Sequence, residues 1–341
     1  MKNSLSVAAC GSSQFGQSTH TSDISIPHEF VVPSIDDIRV GGWHSCVLCS
    51  TENCAFWGSN LDQQIPKVQS NLLRSPTSYQ IPLDFKDVAL GSKHTVILTK
   101  SNVLQSFGSN AQLQLPPNST SKIKSVFAKF DQTAAISDDN KVLVWGNNAK
   151  QMKITLPNTE IPAFVELAPF GIFILSDKLV CYHYVAGQVK CQFPNVISVA
   201  ASRTKAMILK NDGRIYQIVQ DKLIQIVGIP DIPIKIFAGG AHYGCVTISG
   251  KCYTWGCGTR GQLGNGQFSN QAKPTLAIFD DKKCVIEAFG GEEHSVFLLC
   301  TNDVFIPAIH PAMKEQPLPS AVIADSIRYN TYNPPQFDIK F

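Results

Sequence analysis

The sequence predicts an all-β chain, a seven-bladed β-propeller closed by its own N-terminal strand. Three observations carry this. Thirteen residues after each of His44, His94 and His242 stands an aromatic–glycine pair: Trp57-Gly58, Phe107-Gly108 and Trp255-Gly256. The text around those histidines recurs, as Gly41-Gly42-Trp43-His44-Ser45, Gly91-Ser92-Lys93-His94-Thr95, Gly239-Gly240-Ala241-His242-Tyr243 and Gly290-Gly291-Glu292-Glu293-His294-Ser295. A unit recurring at about forty residues marks a repeat architecture. The two chain ends also complement each other. Cys10-Gly11 has no histidine segment before it, and thirteen residues past His294 lies Pro307, which suits a central strand badly.

The first element, Ser6–Cys10, is therefore the missing strand of the last unit and belongs beside Ser295–Leu299. Next come short apolar runs rich in β-branched and aromatic residues: Cys46-Val47-Leu48, Thr95-Val96-Ile97-Leu98 and Ser295-Val296-Phe297-Leu298-Leu299. Turn signals such as Asp138-Asp139-Asn140, Asn211-Asp212-Gly213 and Thr301-Asn302-Asp303 follow. Second strands such as Val142–Trp145 and Cys252–Trp255 complete hairpins. Forty residues hold four strands, one propeller blade. Between residues 100 and 230 the histidine position falls on Asp131, Gly171 and Lys205, and the aromatic position on Trp145-Gly146, Tyr184 and Tyr216. No long amphipathic helix is visible. Gly41, Gly91, Gly239 and Gly290 are expected before channel-lining strands, where positive φ and close backbone approach favour glycine. Trp57, Trp145 and Trp255 are expected to pack between blades. Closure removes the exposed edges that invite aggregation. The propeller spans 1–305; residues 306–341, rich in proline, are expected as a disordered or loosely docked C-terminal extension, with a peptide lying across the propeller as the alternative.

Composition bounds the function. Of 341 residues, 44% are hydrophobic and 16% charged, enough for a large core. A net charge of +3 without a basic run gives no case for direct nucleic-acid binding. No stretch of eighteen apolar residues exists, so no membrane span is expected. Val7-Ala8-Ala9-Cys10 resembles a lipoprotein cleavage site, but the apolar run before it is too short for a signal. Eleven scattered cysteines do not form a disulfide framework. The sequon Asn118-Ser119-Thr120 is read as chance. These features fit a reducing compartment, the cytoplasm, with the nucleus next.

Motifs for chemistry are weak. Four histidines at one repeat position lie in different blades and are read as structural, fixing the ring through neighbouring backbones. Cys46 and Cys49 form C-x-x-C, but residues i and i+3 of a strand point to opposite faces, so zinc is not expected there. Gly256-Cys257-Gly258-Thr259-Arg260-Gly261 matches a phosphate-binding pattern by letter and not by context. No catalytic, cofactor or metal residue is assigned. The residues beside the repeat histidines do vary: Trp43, Lys93, Phe130, Phe170, Arg203, Lys205, Tyr243, Glu292 and Glu293. On one rim they would offer aromatic anchors and both charge signs to a protein partner.

Tyr253-Thr254-Trp255-Gly256, continuing to Gly261-Gln262-Leu263-Gly264, resembles the repeat of the regulator-of-chromosome-condensation family. Trp57-Gly58-Ser59-Asn60, Phe107-Gly108-Ser109-Asn110 and Phe15-Gly16-Gln17 resemble the same element. The resemblance covers residues 6–305 and is poor between 160 and 225. It implies a seven-bladed propeller without catalytic residues. The short fungal single-propeller branch implies an adaptor, forming a heterodimer with a small zinc-containing electron carrier, in tRNA wobble-uridine modification and diphthamide synthesis. The founding member implies the alternative, guanine-nucleotide exchange on a Ran-type small GTPase. Light sensing through clustered tryptophans is disfavoured by a count of four.

Overall fold

A computed structural model describes residues 5–314, apart from 31, 33–34, 50–52, 81–84, 118–121, 148, 303–304, 306 and 308. The sequon at Asn118 and the extension beyond 314 lie outside the described residues. Seven antiparallel sheets follow one another around a ring. Their innermost strands are Asp37–Val40, Phe85–Leu90, Ile123–Lys129, Pro162–Ala168, Val196–Ala201, Pro233–Ala238 and Lys283–Gly290, in blades 1 to 7. Each innermost strand contacts the innermost strands on both sides, blade 7 against blade 1 included. Six sheets have four strands, and blade 2 has three among the described residues. The described helices are a 3-10 turn at Pro157–Thr159 and Pro311–Lys314.

Closure is as the sequence predicts. Ser6–Gly11 lies between His294–Thr301 and Ile24–Phe30, with Ser6 opposite Leu299 and Cys10 opposite Ser295. Period-2 alternation sends its side chains to opposite faces. Val7 and Ala9 pack toward blade 1 with Trp57 and Val296, while Ala8 and Cys10 pack toward blade 6 with Phe237 and Phe297.

The same rule organises the whole core. The buried apolar residues divide into seven clusters, each filling one seam between adjacent blades. Trp57, Trp145 and Trp255 occupy three seams as expected. Cys46 faces the seam with blade 2 and Cys49 the seam with blade 7, so the C-x-x-C pair is split across the sheet.

Several expectations need correction. The histidine strands are second in their blades; the glycines end the channel-lining strands. Gly41, Gly91, Gly239 and Gly290 do not have positive φ, and close approach alone selects them: a Cβ on Gly41 would meet the Gly91 carbonyl, and one on Gly290 the Gly239 nitrogen. Positive φ belongs instead to the glycine of the aromatic pair, as at Gly58 (φ 104°) and Gly146 (φ 115°). In blades 3 to 5 the histidine position is one residue later than read, at Gln132, Ile172 and Ala206, which pair with Gly146, Tyr184 and Ile218. The aromatic position in blades 4 and 5 is then His183 and Gln217, one residue before Tyr184 and one after Tyr216. The start of the C-terminal extension is docked, not loose. Met313 is fully buried in the seam of blades 5 and 6, with Ile309 and Ala312 against it.

Candidate functional site

In every blade the turn joining the first strand to the second falls on one face of the ring. The glycines let these turns approach closely enough to hydrogen-bond across the seams. Ser92 N–H donates to the Phe130 carbonyl, Gly42 to Gly91, Glu292 to Gly42, Gly240 to Gly291 and Arg203 to Gly240, at 2.7–3.0 Å. This backbone belt spans five seams. Beneath it a second belt uses the histidines. His44, His94 and His242 place Nε2 within 2.8–2.9 Å of Thr95, Thr133 and Ser295 hydroxyls in the next blade. His294 lies 3.4 Å from the Ser45 hydroxyl, across the seam with blade 1. The short contacts are to side-chain hydroxyls, and the backbones of Gln132 and His294 in the next blade also reach His94 and His242, as expected. All four imidazoles are fully buried, and desolvation lowers their pKa to about 3 for His44, His242 and His294 and about 4 for His94. The sequence reading of these histidines as structural matches this geometry.

Glu166 joins the two seams that flank blade 4. Its Oε1 accepts from Lys129 Nζ in blade 3 at 2.6 Å and from the Ala201 N–H in blade 5 at 2.7 Å. Lys129 also donates across the channel to the Ala238 carbonyl at 3.0 Å. One carboxylate thus does in the degenerate sector what glycine turns do elsewhere. Glu166→Ala would strand an ammonium and a buried amide, and is expected to cost about 3 kcal/mol in urea unfolding; an unchanged midpoint would refute the bridging role.

The nine rim residues do fall on this one face, at three levels of burial. Lys93, Arg203 and Lys205 are exposed, and Trp43, Phe170, Glu292 and Glu293 half-buried. Phe130 and Tyr243 are buried and not available as anchors. Phe130 lies under the Arg203 guanidinium, 4.7 Å from its ring centre. Tyr243 bonds the Ser202 hydroxyl at 2.6 Å and stacks on Trp255. Arg203 pairs with Glu292 two blades away, its Nη2 3.1 Å from Oε2. Trp43 meets Phe15 edge-on at 5.3 Å. The rim is therefore partly self-satisfied: Lys93 pairs loosely with Asp62 at 3.9 Å, and Lys205 has no ion pair among the described residues.

One cluster went unnoticed in the sequence. His183 Nδ1 lies 3.7 Å from Cys191 Sγ, which lies 3.6 Å from Asp221 Oδ1. His183 and Cys191 face each other across a hairpin turned at Ala186-Gly187. That turn was a readable signal. Asp221 comes from the next blade, and no local pattern places it.

Residues 249–298 match the family model of the regulator of chromosome condensation (RCC1) repeat. The match runs from the turn after the second strand of blade 6 into the second strand of blade 7. Human E3 ubiquitin-protein ligase HERC2 is 25% identical over 89% of this chain and 7% of its own length. The X-linked retinitis pigmentosa GTPase regulator homolog of Caenorhabditis elegans is 22% identical over 89% of this chain and 22% of its own. The chain thus spans less than a quarter of either relative. Among solved structures, Prp20p from Saccharomyces cerevisiae, described with its binding to Gsp1p and histones, superposes with a TM-score of 0.75 at 14% identity, covering 96% of both chains. The chain is a seven-bladed β-propeller similar in fold to Prp20p, and its residues 249–298 match the RCC1 repeat. No described helix is long and apolar enough to cross a membrane.

Proposed function

We propose that this propeller is a non-catalytic adaptor whose turn face binds a small protein. The observation carrying this is the rim itself: a rigid belt of hydrogen-bonded turns that presents Lys93, Lys205 and the half-buried Trp43 and Phe170 on one side. Rigid presentation lowers the ordering cost of association, and aromatic and basic side chains are favoured interface anchors. Resemblance to the short fungal single-propeller branch, that of the alpha-tubulin suppressor, supports the specific form, a heterodimer with a small zinc-containing electron carrier in tRNA wobble-uridine modification and diphthamide synthesis. This reading implies a cytoplasmic chain, with the nucleus as a second site.

Calorimetric titration of such a carrier into the purified chain is the test. One-to-one binding is expected, weakened at least about tenfold by Lys93→Glu with Lys205→Glu. Those positions separate binding from folding better than Trp43 or Arg203, which are engaged in the rim. Absence of binding removes the specific form. The second reading is exchange on a Ran-type GTPase, favoured by the full-length likeness to Prp20p. Accelerated nucleotide release from that GTPase would select it.

A further inference from the structure

We infer that His183, Cys191 and Asp221 form a binding site for a zinc-class divalent cation at the seam of blades 4 and 5, with a fourth coordination position open to solvent. The ligand atoms all lie within 4.8 Å of one another. Zn–S and Zn–N or Zn–O bond lengths of about 2.3 and 2.0–2.1 Å at a tetrahedral angle put such atoms about 3.6 Å apart. The observed separations are 3.7 Å for His183 Nδ1 to Cys191 Sγ and 3.6 Å for Cys191 Sγ to Asp221 Oδ1. Two of the three separations are thus those of ligands on one small cation, and the third, from His183 to Asp221, lies within 4.8 Å, close enough for the exposed Asp221 carboxylate to swing onto a bound ion.

The donors are also held in place. The His183 ring is stacked on Phe173, with centroids 4.3 Å apart and planes 7° apart, and Phe170 closes on it edge-first at 6.2 Å. His183 occupies the strand position that Trp57, Phe107, Trp145 and Trp255 hold in other blades. A donor nitrogen has replaced an apolar anchor there without loss of ring packing. Asp221 ends a two-residue turn with Gln220, both left-handed, at φ 64° and 49°. Its Oδ2 is 3.4 Å from Lys190 Nζ, leaving Oδ1 on the sulfur. Burial grades from His183, buried, through Cys191, half-buried, to Asp221, exposed. A cation can enter from solvent, and water or another donor can complete its shell. A thiolate, imidazole and carboxylate set selects zinc over calcium or magnesium, which take oxygen ligands.

Cobalt(II) substitution tests the site directly. The full chain is stripped with chelator and titrated with Co2+, then Zn2+. One equivalent of Co2+ is expected to give tetrahedral visible bands and a thiolate charge-transfer band, displaced by Zn2+. Cys191→Ser should abolish the charge-transfer band, whereas Cys257→Ser, at the other half-buried thiol, should keep it. His183→Phe restores the apolar anchor and should fold without metal while losing at least about tenfold in affinity. Asp221→Asn, at an exposed turn, gives the same reading should the Phe variant fold poorly. The inference is overturned by a missing thiolate band at saturating Co2+, or by a band unchanged in Cys191→Ser. It is also overturned if both other variants retain wild-type affinity.

Discussion

Acidification from pH 7 to pH 5 is expected to remove on the order of 7 kcal/mol of folding stability, most of what a domain of this kind possesses. The cause is the histidine belt. His44, His94, His242 and His294 are buried, and desolvation holds their folded-state pKa near 3 to 4. In the unfolded chain each returns to about 6.5. A depressed folded pKa means that the unfolded state takes up the proton first. The stabilisation is therefore intact above about pH 6.5 and is lost progressively as pH falls toward about 3. Each histidine contributes about 2 kcal/mol of that loss at pH 5. Urea midpoints recorded between pH 7.5 and 5 would show the decline. His44→Gln, His94→Gln and His242→Gln should each flatten the curve by about a quarter of its slope, because the side chain no longer titrates. The protein already tolerates that choice: Gln132 fills the equivalent position in blade 3. A pH-independent midpoint across this range would refute the belt's neutrality.

The histidine belt was legible because its signal is local. A histidine, its preceding glycines and the aromatic pair lie on one hairpin, so fixed spacing reports fixed pairing. The same logic gave the blade count and the closing strand. It failed where the constraint is carried by side chains from different blades. In blades 3 to 5 the motif residues are replaced, and without them the register slipped by one, to Asp131, Gly171 and Lys205. Glu166 there joins Lys129 to the backbone of Ala201, partners 37 and 35 residues away that no period connects. The rim was half legible. Turn position predicted which face each residue would reach, but not that Phe130 would lie under Arg203 or that Tyr243 would turn inward to Ser202. Whether a rim aromatic is an anchor or a packed residue depends on neighbours one and two blades away. The role assigned to the glycines was right in mechanism and misplaced in detail. Close approach selects Gly41 and Gly290, and left-handed backbone selects Gly58 and Gly146.

Removal of residues 1–11 is expected to abolish the cooperative fold, the larger consequence of how the ring is closed. That strand is central in blade 7, and Val7, Ala8, Ala9 and Cys10 are all fully buried. Its loss would strip Ile24–Phe30 of its partner, bare the edge of His294–Thr301, and open two seams at once, since Val7 and Ala9 face Trp57 while Ala8 and Cys10 face Phe297. An unpaired central edge is a template for association, so the truncated chain should scatter light and show a smaller urea dependence of unfolding, in proportion to the buried surface already lost. A single substitution separates the seam from the strand. Ala9→Asp leaves the backbone pairing with Val296 possible but sets an unpaired carboxylate against Trp57, at a cost of at least about 3 kcal/mol. The exposed Lys93→Glu should by contrast leave the midpoint within about 0.5 kcal/mol of the parent. The two outcomes together discriminate closure by strand pairing from a ring held by its seams alone. A truncated chain with an unchanged, single sharp transition would mean that the five remaining seams suffice, and that the terminal strand caps a ring already formed.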